Sequence, residues 1–241
     1  MTHEPGSCTG YFITATDTGV GKTWCTLALM QWFQLQGLKV AGMKPVSSGC
    51  REVDGQLLNE DAMLIRQQAT GDPDYGLVNP YAFVPGIAPH IAAEKAGVTI
   101  DLATLIERYT VLAEGNERII VEGVGGWRVP LSPTQTLADL VKALDLQVIL
   151  VVGLRLGCIN HALLTAEAIR ADGLSLAGWV ANHCLTDYAE EDATLSTLAG
   201  KIMAPLLGVL PWLPDRDVTA LAAGFDPAAF TGNTIKRFYR S

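Results

Sequence analysis

The chain has little charge, and none of it gathers into a basic surface. Charged residues are 17% of the 241, and the formal net charge is −8. That balance argues against nucleic acid, because binding a phosphate backbone needs clustered Lys and Arg. The short basic stretch Lys236, Arg237 and Arg240 reads as a solvated tail. Long apolar runs are also missing. The longest, Val148 to Leu154, is far too short to span a bilayer, and Met1 to Thr9 lacks the basic and apolar regions of a signal peptide. Cys8, Cys25, Cys50, Cys158 and Cys184 are odd in number, widely spaced and without a Cys-x-x-Cys pair. Neither a disulfide framework nor a zinc site is indicated, so a reducing cytoplasm is the expected location. No Ser-His-Asp order or metal-binding cluster is evident among His3, His90, His161 and His183.

What is present is a well-buried globular composition, 49% hydrophobic. Strand-like runs recur at Tyr11–Thr14, Lys39–Met43, Arg118–Val121, Gln147–Val152, Leu176–Ala181 and Leu206–Leu210. Helical patterns fall between most of them, at Thr23–Gln36, Glu60–Ala69, Leu102–Leu112, Leu137–Leu144, Ile159–Ala171 and Glu190–Lys201. Such alternation predicts an α/β fold of the P-loop NTPase type: a mostly parallel central sheet with helices on both faces. One domain is expected over 1–241, with 1–9 and about 225–241 as peripheral tails.

In such folds ligands sit beyond the carboxyl ends of the strands. The first strand runs into Thr16-Asp17-Thr18-Gly19-Val20-Gly21-Lys22-Thr23 and then a helix, a phosphate cradle. Gly21 lets backbone amides close around a phosphate, Lys22 brings a point charge, and the Thr23 hydroxyl is placed to ligate Mg²⁺ at a helix N-terminus. The strict P-loop pattern would put glycine where Thr16 stands. Glu122 follows Ile119-Ile120-Val121 beside Gly123, Gly125 and Gly126, which makes it the best Mg²⁺ ligand candidate. Lys44, at the tip of the second strand, would supply charge to transferring phosphoryl oxygens, but reads equally well as a surface lysine. Asp61 reads either as a ligand or as an ordinary acidic helix start with Asn59 as its N-cap. Gly157 to Asn160 open a helix with free N–H groups and no acidic side chain nearby, a carboxylate-binding end. His161 reads more readily as a packed or capping residue than as a base.

Taken together these residues resemble the dethiobiotin synthetase family, and the resemblance runs over most of the chain. It includes Thr16-Asp17-Thr18 before Val20-Gly21-Lys22-Thr23, Lys44-Pro45-Val46 with Ser48-Gly49, and Asn59 with Asp61-Ala62. It continues through Val78-Asn79-Pro80-Tyr81, Val121-Glu122-Gly123 with Gly125-Gly126-Trp127, Leu156 to Ala162 and Gly178 to Asn182, ending at Pro211-Trp212-Leu213. The family implies ATP as co-substrate with Mg²⁺, acting on 7,8-diaminononanoate and CO₂. Its pattern implies nucleotide contacts from Gly19, Val20, Gly21, Lys22, Thr23, Trp24, Gly123, Val124 and Gly125. Thr23, Asp61 and Glu122 would hold Mg²⁺ and the phosphates, and Lys22, Lys44 and Thr18 would be catalytic. Ser48 and Lys44 would meet the diamine. Asn182, with His183 beside it, and Pro211, Trp212 and Leu213 would receive the adenine.

The resemblance also implies a homodimer in which Gly157, Cys158, Ile159 and Asn160 bind the carboxylate of the neighbouring subunit's substrate. Ala15 stands where relatives usually have the glycine that opens the loop, which is tolerable if its φ is negative, and Gly19 stands where some have glutamate. Arg51–Leu58, His183–Ser196 and the tail from Asp215 resemble the family weakly or not at all. Other readings are an ATP-dependent amidoligase, a partition-type ATPase switch and a regulatory nucleotide binder. The first usually carries a glutaminase domain for which 241 residues leave no room. The second carries a signature lysine where this chain has Asp17, and the third would not need Lys22, Thr23, Lys44, Asp61 and Glu122 together.

Overall fold

The computed structural model describes residues 8–186 and 188–230. The basic stretch Lys236, Arg237 and Arg240 and the histidine His3 lie outside them. In chain order the elements are β1 (Thr9–Ala15), α1 (Lys22–Leu35), β2 (Val40–Met43), β3 (Val46–Ser48), β4 (Arg51–Val53), β5 (Gln56–Leu58) and α2 (Glu60–Gln68). There follow α3 (Tyr75–Val78), β6 (Tyr81–Phe83), α4 (Pro89–Ala96), α5 (Leu102–Ala113), β7 (Arg118–Glu122), α6 (Leu137–Ala143) and β8 (Gln147–Gly153). The chain continues with α7 (Cys158–Ala171), β9 (Leu176–Asn182), α8 (Glu191–Lys201), β10 (Leu206–Leu210), α9 (Val218–Ala222) and α10 (Pro227–Phe230).

Six strands form one sheet in the order β10-β9-β8-β1-β7-β2, and every pairing is parallel. The sequence shows why: Val148 to Val152, Phe12 and Ile13, and Ile119 to Val121 are wholly buried. Strands apolar on both sides suit a sheet covered by helices on both faces. Order reverses about β1, with β7 and β2 on one side and β8, β9 and β10 on the other. This is the switch point at which such sheets open a crevice, and it lies where the Thr16–Thr23 loop leaves β1.

Several short elements escaped the sequence reading. The antiparallel pair β4 and β5 turns through Asp54 and Gly55, both at positive φ, 51° and 78°. Asp-Gly is the strongest short-range hairpin signal a sequence carries. The tail expected from about residue 225 is not peripheral through Phe230. Phe225 is 5% exposed, and the ring of Phe230 lies 4.4 Å from that of Trp32 on α1. Aromatic burial of this kind outweighs the lack of any periodic signal in so short a segment. His161 is exposed on α7 rather than packed.

Candidate active site

The phosphate loop is held open by two local constraints. Gly21 adopts φ 89° as the residue before α1, a left-handed conformation that costs an L-residue roughly 1–2 kcal/mol. A Cβ there would also overlap the Asn182 side-chain amide. That amide, at the end of β9, donates from Nδ2 to the Val20 carbonyl at 2.9 Å, so a strand two positions across the sheet clamps the loop. Ala15 is not at positive φ, which removes the objection to a methyl group at that place.

Two lysines converge on the loop. Lys22 is 7% exposed, and its Nζ donates to the carbonyls of Gly125, 2.7 Å, and Asp17, 3.3 Å. Burial, with the Lys44 charge adding to it, pushes the Lys22 ammonium down to about 8. Lys44, 4% exposed at the tip of β2, is not the surface lysine its sequence allowed. Its ammonium contacts Glu122 Oε1, lies 3.2 Å from Asp61 Oδ2 and 3.3 Å from the Gly123 carbonyl. Burial alone would depress Lys44, but Glu122 and Asp61 hold it above the ordinary lysine value.

The backbone of Lys44 is fixed by a segment whose role the sequence left blank. Asn79 donates from Nδ2 to the Lys44 carbonyl at 2.6 Å, while its Oδ1 accepts from Ser47 Oγ at 2.8 Å and Tyr75 Oη at 3.1 Å. The Lys44 N–H donates to the Val78 carbonyl. Asn59 caps α2 by accepting from the Ala62 N–H at 3.1 Å, which sets Asp61 in the first turn of that helix.

Glu122 ends β7 and is wholly buried. Its Oε1 accepts from Thr23 Oγ1 at 3.2 Å, and its Oε2 has no hydrogen-bond partner. An orphaned buried carboxylate oxygen is costly. Together with Thr23 and Asp61 it makes an all-oxygen set that suits Mg²⁺, which takes one or two carboxylates and completes its shell with water and substrate phosphates. Among the described residues no cluster of three or more His, Cys, Asp or Glu forms a protein-only metal cage.

These groups line one cleft of about 440 Å³, the size of a small-molecule site. Thr18, Gly19, Gly21, Lys22, Thr23 and Trp24 line it from the loop, and Lys44, Ser48 and Asp61 from the second and third strands and α2. Glu122, Val124 and Gly125 close the floor, and Asn182, His183, Pro211, Trp212 and Leu213 form the far end. Val20 and Gly123 contribute carbonyls to the clamp and to Lys44 rather than lining the cleft. Ser47, Cys184, Arg216 and Leu221 also line it, none of them a candidate from the sequence, as does Asn59, read from the sequence as a helix cap. Arg216 lies 4.8 Å from the ring centroid of Trp24 and adopts φ 51°.

Gly157, Cys158, Ile159 and Asn160 do not line this cleft. Gly157 precedes α7 at φ 93°, and the first turn of that helix carries no acidic residue. The fold nonetheless brings a carboxylate close, which the sequence reading had excluded. Asp17 pairs with Arg155 at 2.6 Å, and the Thr18 N–H, Arg155 and His161 hold Asp17 below the usual carboxylate range.

Comparison with known proteins bears on the fold and the family. A family described as an AAA domain matches residues 9–219. Among solved structures, chloroplast FtsY from Physcomitrella patens superposes with a TM-score of 0.54 at 14% identity, covering 98% of this chain and 67% of that one. The MinC:MinD cell division protein complex of Aquifex aeolicus gives 0.51 at 13%, covering 89% and 86%. At such identities the likeness establishes the fold alone. Sequence relatives are much nearer. An ATP-dependent dethiobiotin synthetase of Pseudomonas aeruginosa (strain UCBPP-PA14) is 48% identical over 217 residues, 90% of this chain and 95% of that protein. One from Xanthomonas axonopodis pv. citri (strain 306) is 44% identical over 214 residues, 89% and 96%. With 44–48% identity extending over about nine-tenths of its length, the chain belongs to the ATP-dependent dethiobiotin synthetase family and is a ligase.

Proposed function

We propose that the cleft binds ATP with Mg²⁺ and converts 7,8-diaminononanoate and CO₂ into dethiobiotin, ADP and phosphate. The observation that carries this reading is the placement of Lys22 and Lys44 with Thr23, Asp61 and Glu122 in one cleft. One substrate amine and CO₂ form a carbamate. A carbamate oxygen attacks the γ-phosphorus, ADP leaves, and a carbamic–phosphoric anhydride results. The second amine attacks its carbonyl carbon, phosphate departs, and the ureido ring closes.

This chemistry asks the protein for position and charge more than for a nucleophile. Lys22 holds the β- and γ-phosphates, and Lys44 offers its ammonium to the carbamate and the γ-phosphate. Thr18 hydrogen-bonds the transferring group from the loop, and Ser48, half-buried at the end of β3, orients the diamine. Thr23, Asp61 and Glu122 would hold Mg²⁺, which when bound supplies neutralising charge to the phosphates. The Asn182 Nδ2 is committed to Val20, which leaves Oδ1 to accept from the adenine amine between His183 and the Pro211-Trp212-Leu213 segment.

A homodimer fits the position of the α7 start. Gly157 to Asn160 do not line their own subunit's cleft. The N–H groups of Gly157, Ile159 and Asn160 suit a carboxylate, while that of Cys158 is donated to the Arg155 carbonyl. Leu156 beside them is 95% exposed, with Leu164 on the same helix at 58%. Among the described residues no helix is long and apolar enough to cross a membrane.

The test is ATP hydrolysis by purified protein with Mg²⁺ and CO₂, with and without the diamine, following ADP and the cyclised product together. Diamine-dependent ADP release matched by dethiobiotin is the expected result. ATP binding without diamine-dependent turnover would transfer the reading to another ligase substrate or to a nucleotide switch.

A further inference from the structure

The two cleft lysines are satisfied in different ways. Lys22 donates only to neutral carbonyls, those of Gly125 and Asp17. Lys44 is instead committed to the two carboxylates that make up the acidic half of the cation site, Glu122 and Asp61. Its ammonium and the Thr23 hydroxyl both address the same oxygen, Glu122 Oε1, while Oε2 stays buried and unpartnered. A small divalent cation needs its oxygens at about 2.0–2.1 Å in near-octahedral order. A cation bonded to Oε1 and Asp61 would stand within a few ångströms of Nζ, where like charges repel strongly even at a high effective dielectric.

Resting on the assignment of Thr23, Asp61 and Glu122 to the cation, we propose that Lys44 is the resident counter-ion of that site. Its ammonium neutralises Glu122 and Asp61 while no metal is bound, and a divalent cation must displace it. Loading the metal and freeing the Lys44 ammonium for the phosphate end are therefore one event. The device has a structural economy: without it, burying Glu122 with an empty site would leave a naked charge in the core. The Gly123 carbonyl, 3.3 Å from Nζ, is a neutral acceptor that stays available to the ammonium after it leaves the carboxylates.

The experiment measures Mn²⁺ alone, by electron paramagnetic resonance, on nucleotide-free protein. Lys44→Gln should bind Mn²⁺ at least about tenfold more tightly than the wild type, and Lys44→Arg, which keeps a cation, should show no gain. The glutamine variant should also gain more in Tm on adding Mn²⁺ than the wild type does, which reports on the folded protein whatever its starting stability. Separately, the ¹⁵N–¹H signal of the Lys44 ammonium, assigned by its loss in Lys44→Gln, should move or vanish as Mg²⁺ saturates the wild type. Equal or weaker Mn²⁺ binding by Lys44→Gln overturns the inference, as does a Lys44 signal unmoved by saturating Mg²⁺. Mn²⁺ binding to the wild type with ADP distinguishes the failures. If it is present, only the counter-ion role falls; if it is absent there too, the assignment of the cation ligands falls with it.

Discussion

The two ends of the cleft are built on different principles. At the phosphate end Lys22, Lys44 and Glu122 are each under a tenth exposed, and they issue from the tips of β2 and β7 and the start of α1. Every one of them is held by a strand, a helix terminus or a buried hydrogen bond. At the far end Trp212 is 45% exposed, and Arg216 sits at positive φ on a loop with its guanidinium over Trp24. Only Asn182 there belongs to a strand. The difference teaches where precision is needed: charge developing on a transferring group rewards donors that need no reorganisation, whereas a base is gripped well enough by adaptable apolar and cationic contacts.

The sharpest way to break that comparison is to remove the lysines. Lys22→Ala and Lys44→Ala should each lower kcat by about 10²–10³ or more, the scale seen when one preorganised charge-stabilising group is lost. Steady-state turnover with the diamine checks this, and wild-type-like rates in either would refute the role. The structure adds a distinction that the sequence did not carry. Lys44→Ala strands Glu122 in the core and should cost about 3–5 kcal/mol of stability, visible as a lowered Tm, while Lys22, bonded only to carbonyls, should cost far less.

Next in size is Gly21→Ala, which combines positive φ with a collision against Asn182. It should destabilise the protein by about 1–2 kcal/mol, and weaken ADP binding by calorimetry. Unchanged affinity would mean that the Asn182 clamp is not what holds the loop in register.

A pH series tests the phosphate end without mutation. The free Lys22 ammonium loses its proton as pH rises through about 8, and a bound phosphate favours the charged form. Nucleotide affinity should therefore be level below about 8 and fall above it, with a proton taken up on binding in that upper window. The stability sign is separate. Between about 8 and the ordinary lysine value the unfolded chain keeps a proton the folded one has released, so burial of Lys22 costs progressively less stability as pH rises there. Calorimetry in buffers of different ionisation heat reads the proton directly.

The smallest effect belongs to the far end. An exposed cation–π contact contributes about 0.5–1 kcal/mol, so Arg216→Ala should raise the KM for ATP only about two- to fivefold and leave kcat unchanged. A large loss of kcat would erase the contrast between the two ends.

Much of this was legible beforehand because it is local. The six parallel strands follow from short apolar runs between periodic segments, and the phosphate loop from the order strand, glycine, lysine, threonine, helix. Asn59 announced itself as a cap. Arg216 did not, because an arginine in a loop of weak family likeness gains meaning only when α9 carries that loop back against Trp24. Asn79 was seen within a motif but had no assignable task until its amide was found bonded to the Lys44 carbonyl. The hairpin at Asp54-Gly55 carries a readable signal in its Asp-Gly pair.

The sequence by itself determined the phosphate loop from residue type and spacing within a few turns of chain, the fold class from a succession of such local patterns, and the family from motifs spread along most of its length. Only the tertiary structure decided that Lys44 lies buried between Glu122 and Asp61, that Asn182 clamps Val20, and that Asp17 meets Arg155 beside α7. Those pairings join residues from 17 to 162 positions apart, and no local preference encodes them. They exist because the packed sheet brings the tips of β1, β2, β7, β8 and β9 to one edge; for Lys44, Glu122 and Asn182 burial there makes an unpaired charge or amide too costly to leave, while the exposed Asp17–Arg155 pair follows from proximity alone.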